Sequence, residues 1–284
     1  MSTPVAALLD GTLVDVTRPL IHVDDYGLLR GDGIFETTLV VDGRPRDLVE
    51  HLARLEVSAG MLDLRLPPLA DWHRGVDAVL GAWTGGPAMV LRLIATRGRE
   101  GAGVPTCVVL GGPVSAVVDR ERVDGIAVLL LDRGFAGEQM ASLPWLLAGA
   151  KTLSYAMNMA AKRWAEAHGA DDVVFVGTDG RLLEGPTATV VVARDRLLIT
   201  PPVDGILAGV TVRRLFRAAE NAGWEAETAP LTPADLRTVD GVWLVSGVRL
   251  LAPVRTIDGV PVARGSAHDE LAALLQMPGS TGRS

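Results

Sequence analysis

The chain carries 27 basic residues, and only two of them, Lys151 and Lys162, are lysines. Arginine holds its proton near neutral pH and cannot form an imine, whereas lysine can. Lys151 ends the apolar run Trp145-Leu-Leu-Ala-Gly-Ala-Lys151 and is followed by Thr-Leu-Ser-Tyr155. Desolvation along such an approach favours the neutral amine, the form needed for imine formation and for proton abstraction. The same stretch also suits a lysine that snorkels to the surface. A second candidate is the loop from Thr200-Pro-Pro to Gly209-Val210-Thr211. It runs into an expected helix, whose free N–H groups and dipole favour phosphate; taken alone, Gly209 reads equally as a turn glycine. The third is Glu184 in Gly180-Arg-Leu-Leu-Glu184-Gly. A carboxylate there can keep a pyridine nitrogen protonated, making the ring an electron sink, or it is simply an exposed glutamate at a strand end.

The elements that must position these groups follow from periodicity. Asp10-Gly11 and Asp42-Gly43 lie between apolar segments, a hairpin signal. Apolar residues at helical spacing predict a helix over Leu48–Leu62, and a second over Leu69–Trp83. Met89–Thr96 and Thr106–Gly111 read as strands. The polar stretch Pro113–Asp124 reads as a linker, with a domain boundary near residue 118. Beyond it, strands are expected at 126–131, 173–176, 182–184, 189–193, 196–200, 242–246 and 251–257. Helices are expected at 154–168, 210–222 and 266–277. The expectation is a mixed α+β chain with a small α/β domain (1–117), a larger domain (118–277) and a disordered tail (278–284).

The chain has 284 residues, 48% hydrophobic and 21% charged, with a net charge of -7. An acidic protein has no general electrostatic reason to bind nucleic acid or an anionic membrane. An anionic small substrate needs a local arginine cluster. The lone Cys107 excludes a disulfide framework, points to a reducing, cytoplasmic setting, and reads as a buried, inert thiol. No apolar run approaches the roughly 18 residues that span a bilayer. No metal site is expected.

In order and spacing, several stretches together resemble the class IV aminotransferases, the fold type IV enzymes dependent on pyridoxal 5'-phosphate (PLP). They are Arg30-Gly-Asp-Gly-Ile-Phe-Glu-Thr37, His51-Leu-Ala-Arg54-Leu, Thr96-Arg-Gly, Lys151-Thr-Leu-Ser-Tyr155, Leu183-Glu184-Gly, Thr200-Pro-Pro through Gly209-Val-Thr211, and Ser246-Gly-Val248 through Pro253-Val. The resemblance spans residues 4 to 275 and implies a two-domain fold whose larger domain is a pseudo-barrel. It also implies a homodimer. By this resemblance Lys151 is the Schiff-base lysine and proton shuttle, and Glu184 is the partner of the pyridine nitrogen. Arg54 resembles a phosphate-binding arginine, and Val210 and Thr211 the helix-start phosphate cup. Ser246, Gly247 and Val248 resemble a loop contacting phosphate and the substrate carboxylate, and Tyr155 lies near the ring oxygen.

Phe35-Glu36-Thr37 and Lys151-Thr-Leu-Ser-Tyr155 look like the 4-amino-4-deoxychorismate lyases, which release 4-aminobenzoate and pyruvate, and the chain as a whole looks most like the actinobacterial ones. In that reading Thr37 assists proton transfer; as a plain β-branched strand residue it would need no role. Arg97, Arg99 and Arg30 are the candidates for substrate carboxylates, with surface pairing the competing role for each. Three positions depart from the family pattern and bear on substrate choice. Arg30 stands in place of an aromatic residue, Thr189 in place of asparagine, and Gly247 in place of a hydroxyl residue. The competing readings are a transaminase of D- or branched-chain amino acids and a non-catalytic PLP-binding protein. Intact Lys151, Arg54 and Glu184 argue against the last.

Overall fold

The computed structural model describes residues 3–277, so the expected tail lies outside the described residues. The chain forms two compact units. The first ends at Ser115 and takes back Ala150–Tyr155; the second comprises Ala116–Gly149 and the chain from Ala156 onward. The mixed α/β class expected from the sequence is the class observed.

The first unit contains β1 (Val5–Ala7), β2 (Leu13–Val14), α1 (Tyr26–Arg30), β3 (Gly33–Val41), β4 (Arg44–Pro45), α2 (Leu48–Met61), α3 (Leu69–Ala82), β5 (Ala88–Thr96) and β6 (Thr106–Gly112). Its sheet has the order β2-β1-β6-β5-β3-β4, with antiparallel neighbours throughout. Asp42 and Gly43 both take positive φ, 49° and 74°, as the tight turn between β3 and β4 requires. Strand alternation splits β3 between two faces. Ile34, Glu36, Thr38 and Val40 are buried on one; Phe35 and Thr37 on the other are only half-buried. The apolar stripe of α2 includes Leu52, Leu55 and Ala59, one helical face by spacing. Fully burying Leu55 or Trp72 of α3 stabilises the unit by roughly 1.5–3 kcal/mol each.

The second unit contains α4 (Ala116–Asp124), β7 (Ile126–Asp132), α5 (Gly137–Ser142), α6 (Ala156–Ala167), β8 (Asp172–Val176), β9 (Thr189–Arg194), β10 (Leu197–Thr200), α7 (Val210–Asn221), β11 (Glu225–Thr228), β12 (Gly241–Ser246), β13 (Leu250–Ile257), β14 (Val260–Pro261) and α8 (His268–Leu274). Its eight-stranded mixed sheet runs β11-β10-β9-β12-β13-β7-β8, with β14 on β13. Val128, Val174, Val190, Val192, Leu244 and Val254 fill one cluster of its core. Ala161 and Ala165 of α6 pack with Val173 and Phe175 in another.

Several elements differ from expectation. The stretch read as a linker contains α4, whose charged sequence buries only Arg122; with no apolar stripe it gives no helical signal. The boundary accordingly falls at Ser115 rather than near 118. Residues 182–184 form an isolated bridge, Val176 to Leu182, instead of a strand. The helix expected from Ser154 begins at Ala156, because the residues before it pair with β3. Among the described residues, no helix is long and apolar enough to cross a membrane. Cys107 is half-buried, and burial pushes its thiol pKa up to about 12, so it is inert near neutral pH.

Candidate active site

Lys151 belongs to the first unit through backbone pairing. Phe35 N–H donates to the Lys151 carbonyl at 3.0 Å, and Leu153 N–H to the Gly33 carbonyl at 2.8 Å. Ile34 and Thr152 form the bridge between these bonds. The segment thus covers the Gly33–Phe35 end of the outer edge of β3, while β4 covers the other end. Lys151 N–H is held by Ser58 Oγ of α2 at 3.0 Å. The side chain is 9% exposed. Its Nζ lies 4.6 Å from the Phe35 ring centroid and 5.6 Å from that of Tyr155. The two rings meet edge to face, 5.3 Å apart. The two rings wall the amine on two sides and hold it in place.

The opposite face of β3 carries Glu36, 1% exposed. Arg54 grips it in a fork, Nε to Oε1 at 2.6 Å and one terminal nitrogen to Oε2 at 2.8 Å. His51 Nδ1 lies 2.7 Å from Oε2. Burial by itself raises the carboxyl pKa. The hydrogen bonds from Arg54 and His51, with the charge of Arg54, outweigh that and hold it at about 2. An ionised carboxylate only accepts, so His51 Nδ1 carries the proton. Arg54 is therefore oriented by Glu36, a residue that sequence reading passed over as part of a motif.

Two of the three candidate substrate arginines, Arg97 and Arg99, are engaged by carboxylates of the chain. Arg97 donates to both Asp32 oxygens, at 2.6 and 3.2 Å, and to the carbonyls of Leu62 and Asp63. Its guanidinium locks the end of α2 and has no edge left for a bidentate carboxylate. Arg99 forks onto Asp24, and Arg30 is exposed at the end of α1, 5.8 Å from the Tyr26 ring. A further arginine, Arg92, was not among the sequence candidates. It is the direct register partner of Thr37, so it shares that residue's sheet face, the face that also carries Phe35. Arg92 is half-buried with no hydrogen-bond or ion-pair partner among the described residues, and burial lowers its pKa from the ordinary arginine value. Its signal in the sequence was a charge inside an apolar strand, Met89-Val-Leu-Arg92-Leu-Ile.

In the second unit, Glu184 is held where its carbonyl accepts from Phe175 N–H at 3.0 Å. Its carboxylate accepts from Leu207 N–H at 3.2 Å. Leu207 lies in the loop that enters α7, so the carboxylate and that loop are coupled. Gly209 precedes α7 at φ -69° and ψ 117°, with no side chain capping the helix. A Cβ on Gly209 would come within 2.7 Å of Thr189 Oγ1. The position must therefore stay glycine for the loop to lie against β9. Val210 and Thr211 open the helix and are buried. Ser246, Gly247 and Val248 form the half-buried turn between β12 and β13.

Comparison with known proteins places this geometry. The model of the family described as amino-transferase class IV matches residues 33–257. The chain belongs to the class IV aminotransferase family. It is 44% identical over 277 residues to a bifunctional aminodeoxychorismate lyase / D-amino acid transaminase of Mycobacterium tuberculosis, covering 94% of this chain and 96% of that one. A hypothetical aminotransferase from M. tuberculosis, solved in a PLP-bound form, matches with a TM-score of 0.94 and 43% identity over 96% of this chain and 98% of that one. A form with α-ketoglutarate and PMP bound matches with a TM-score of 0.93 and 44% identity, covering 96% and 97%. The cofactor of the family is PLP, and the residues present fit it. Within the second unit, an uncapped helix start suits a phosphate and a half-buried carboxylate a pyridine nitrogen; within the first, a buried amine suits an aldehyde. The chain is thus a PLP-dependent enzyme of the class IV family.

Proposed function

We propose that the chain is an aminodeoxychorismate lyase, converting 4-amino-4-deoxychorismate to 4-aminobenzoate and pyruvate for folate synthesis. The observation that carries this reading is the pairing of Thr37 and Arg92 on the sheet face that bears Phe35. It sets a hydroxyl beside an unpaired cation, which suits proton transfer on a dianionic substrate. When bound, PLP supplies an aldehyde that condenses with amines and a ring that takes up an electron pair.

In this reading Lys151 would hold the cofactor and, once displaced by the substrate amine, would as a free amine remove the proton from the substrate carbon bearing nitrogen. Thr37 relays that proton. Glu184 keeps the ring nitrogen protonated. Arg54, Val210 and Thr211 bind phosphate, with Ser246, Gly247 and Val248 contributing from their turn, and Tyr155 flanks the ring. Arg92 takes a substrate carboxylate in place of Arg97. The ring C–O bond to the enolpyruvyl group breaks, the departing enolpyruvate takes up the proton removed from the substrate carbon to become pyruvate, and the ring becomes aromatic, so no keto acid is consumed. The exposed apolar side chains Leu20, Ile21, Val23, Leu28 and Leu29 support assembly as a homodimer.

The test is to supply aminodeoxychorismate to PLP-loaded protein without any keto acid. Catalytic release of 4-aminobenzoate and pyruvate is expected. If nothing is released while D-alanine or leucine converts the cofactor to its amine form, the assignment passes to a transaminase. That second reading is favoured by the relative solved with a keto acid and PMP bound. Arg92→Met is expected to lower kcat/KM for the dianionic substrate about 100-fold, mainly through KM, the scale of a lost charged hydrogen-bond pair. A wild-type KM in that variant would remove Arg92 from the site.

A further inference from the structure

We infer that Arg122 is a positioning residue for the cofactor and substrate turn, setting the direction of its backbone N–H groups. The inference rests on the proposed role of Ser246–Val248 in binding anions. Arg122 projects from α4 and is 6% exposed. Its Nε donates to the Arg249 carbonyl at 3.0 Å and one terminal nitrogen to the Val248 carbonyl at 2.7 Å. The other terminal nitrogen meets the largely exposed Asp119 at 2.9 Å.

The turn is fastened from a second side. Arg249, also 6% exposed, donates to Asp172 at 2.9 Å and to Glu121 at 3.3 Å. Asp172 is fully buried and also lies 3.4 Å from Lys162 Nζ. Arg249 Nε is buried with no partner. Leu250, which closes the turn opposite Ser246, sits at φ +64° with its side chain buried. A leucine in that left-handed region costs roughly 1–2 kcal/mol, and such strain persists only where the surroundings over-determine it.

A three-residue hairpin turn needs none of this to connect two strands; a glycine at the left-handed position would suffice. Two buried arginines, three carboxylates and a strained leucine hold one particular turn conformation. In a planar trans peptide the N–H points opposite to the C=O. With the Val248 and Arg249 carbonyls drawn to Arg122, the N–H groups of Arg249 and Leu250 are turned the other way. Arg122 thereby fixes the two peptide planes that follow Val248 and, through them, limits the positions open to the Gly247 and Val248 N–H groups just ahead, without itself touching a ligand.

The experiment compares binding of PLP with binding of pyridoxal, which lacks the phosphate, to wild-type protein and to Arg122→Met, with thermal unfolding of each as a control. The expected result is a loss of about tenfold in PLP affinity, consistent with donors displaced by a fraction of an ångström, and little change for pyridoxal. Glu121→Gln loosens the turn through Arg249 and is expected to move PLP affinity the same way by a smaller factor, which covers the case that Arg122→Met does not fold. Asp119→Asn leaves both carbonyl bonds of Arg122 in place and is expected to bind both ligands as wild type does. Equal losses for PLP and pyridoxal, or no loss in either Arg122→Met or Glu121→Gln, would overturn the inference. Wild-type protein that takes up no PLP would overturn the underlying cofactor reading as well, and is told apart by that measurement alone.

Discussion

Lys151→Ala is expected to abolish the visible absorbance of PLP-loaded protein and to reduce turnover by at least about 10⁴-fold, since it removes both the covalent anchor and the acid–base group. The backbone of residue 151 is fixed by two hydrogen bonds, to Phe35 N–H and Ser58 Oγ, and the chain two residues on by that from Leu153 N–H to the Gly33 carbonyl. None of these needs the side chain. The variant should therefore fold, and its loss of activity should not be a loss of structure. Absorbance spectra of dialysed protein, followed by product assay, are the measurements. Turnover retained near wild-type level would refute the assigned role of Lys151, whichever of lyase or transaminase the enzyme proves to be. Lys162, the other lysine, stands beside Asp172 as a structural partner and offers no substitute.

Glu36→Ala is expected to cost about 3–5 kcal/mol in urea unfolding, the scale for removing one member of a buried ion pair. It leaves Arg54, only 10% exposed, without its fork, and His51 without its acceptor. PLP affinity should fall in parallel, because Arg54 loses the group that aims it. A loss below about 1 kcal/mol, typical of exposed pairs, would show that the network is replaceable. The pH dependence has a definite sign. The folded pKa of about 2 lies below the ordinary 4.5, so the stabilisation is fully present above pH 4.5 and is lost as pH falls through about 2. Glu36→Ala should flatten the stability curve within that window and leave its shape above pH 5 unchanged. The same comparison in Glu36→Gln separates charge from shape.

Much of the chemistry was legible along the chain because it resides in residue type. A rare lysine after an apolar run, a glutamate before glycine, and a glycine at a helix start show themselves as candidates by local sequence, each with a plain structural reading beside it. So do α2, α3, α7 and most strands, whose periods of burial are written in adjacent residues. Helix α4 was not legible, because its one buried residue is an arginine and its pattern has no apolar stripe. Arg97 and Arg92 show the same limit from the other side. Arg92 lies within β5 and Arg97 just past its end, and sequence motif favours Arg97. Only the fold brings Asp32 and the carbonyls of Leu62 and Asp63 against Arg97, while setting Arg92 opposite Thr37 with no counter-charge.

What the sequence by itself determined was the cofactor chemistry and the family, because those depend on which functional groups exist and in what order. The tertiary structure alone decided which charges are committed to one another. It returned Ala150–Tyr155 to the first unit by pairing with β3, made Glu36 the anchor of Arg54, and turned Arg122 onto the Val248–Arg249 turn. Each of these joins residues far apart in the chain through hydrogen bonds and burial, and such pairings are fixed by packing, which no local pattern of residue types encodes.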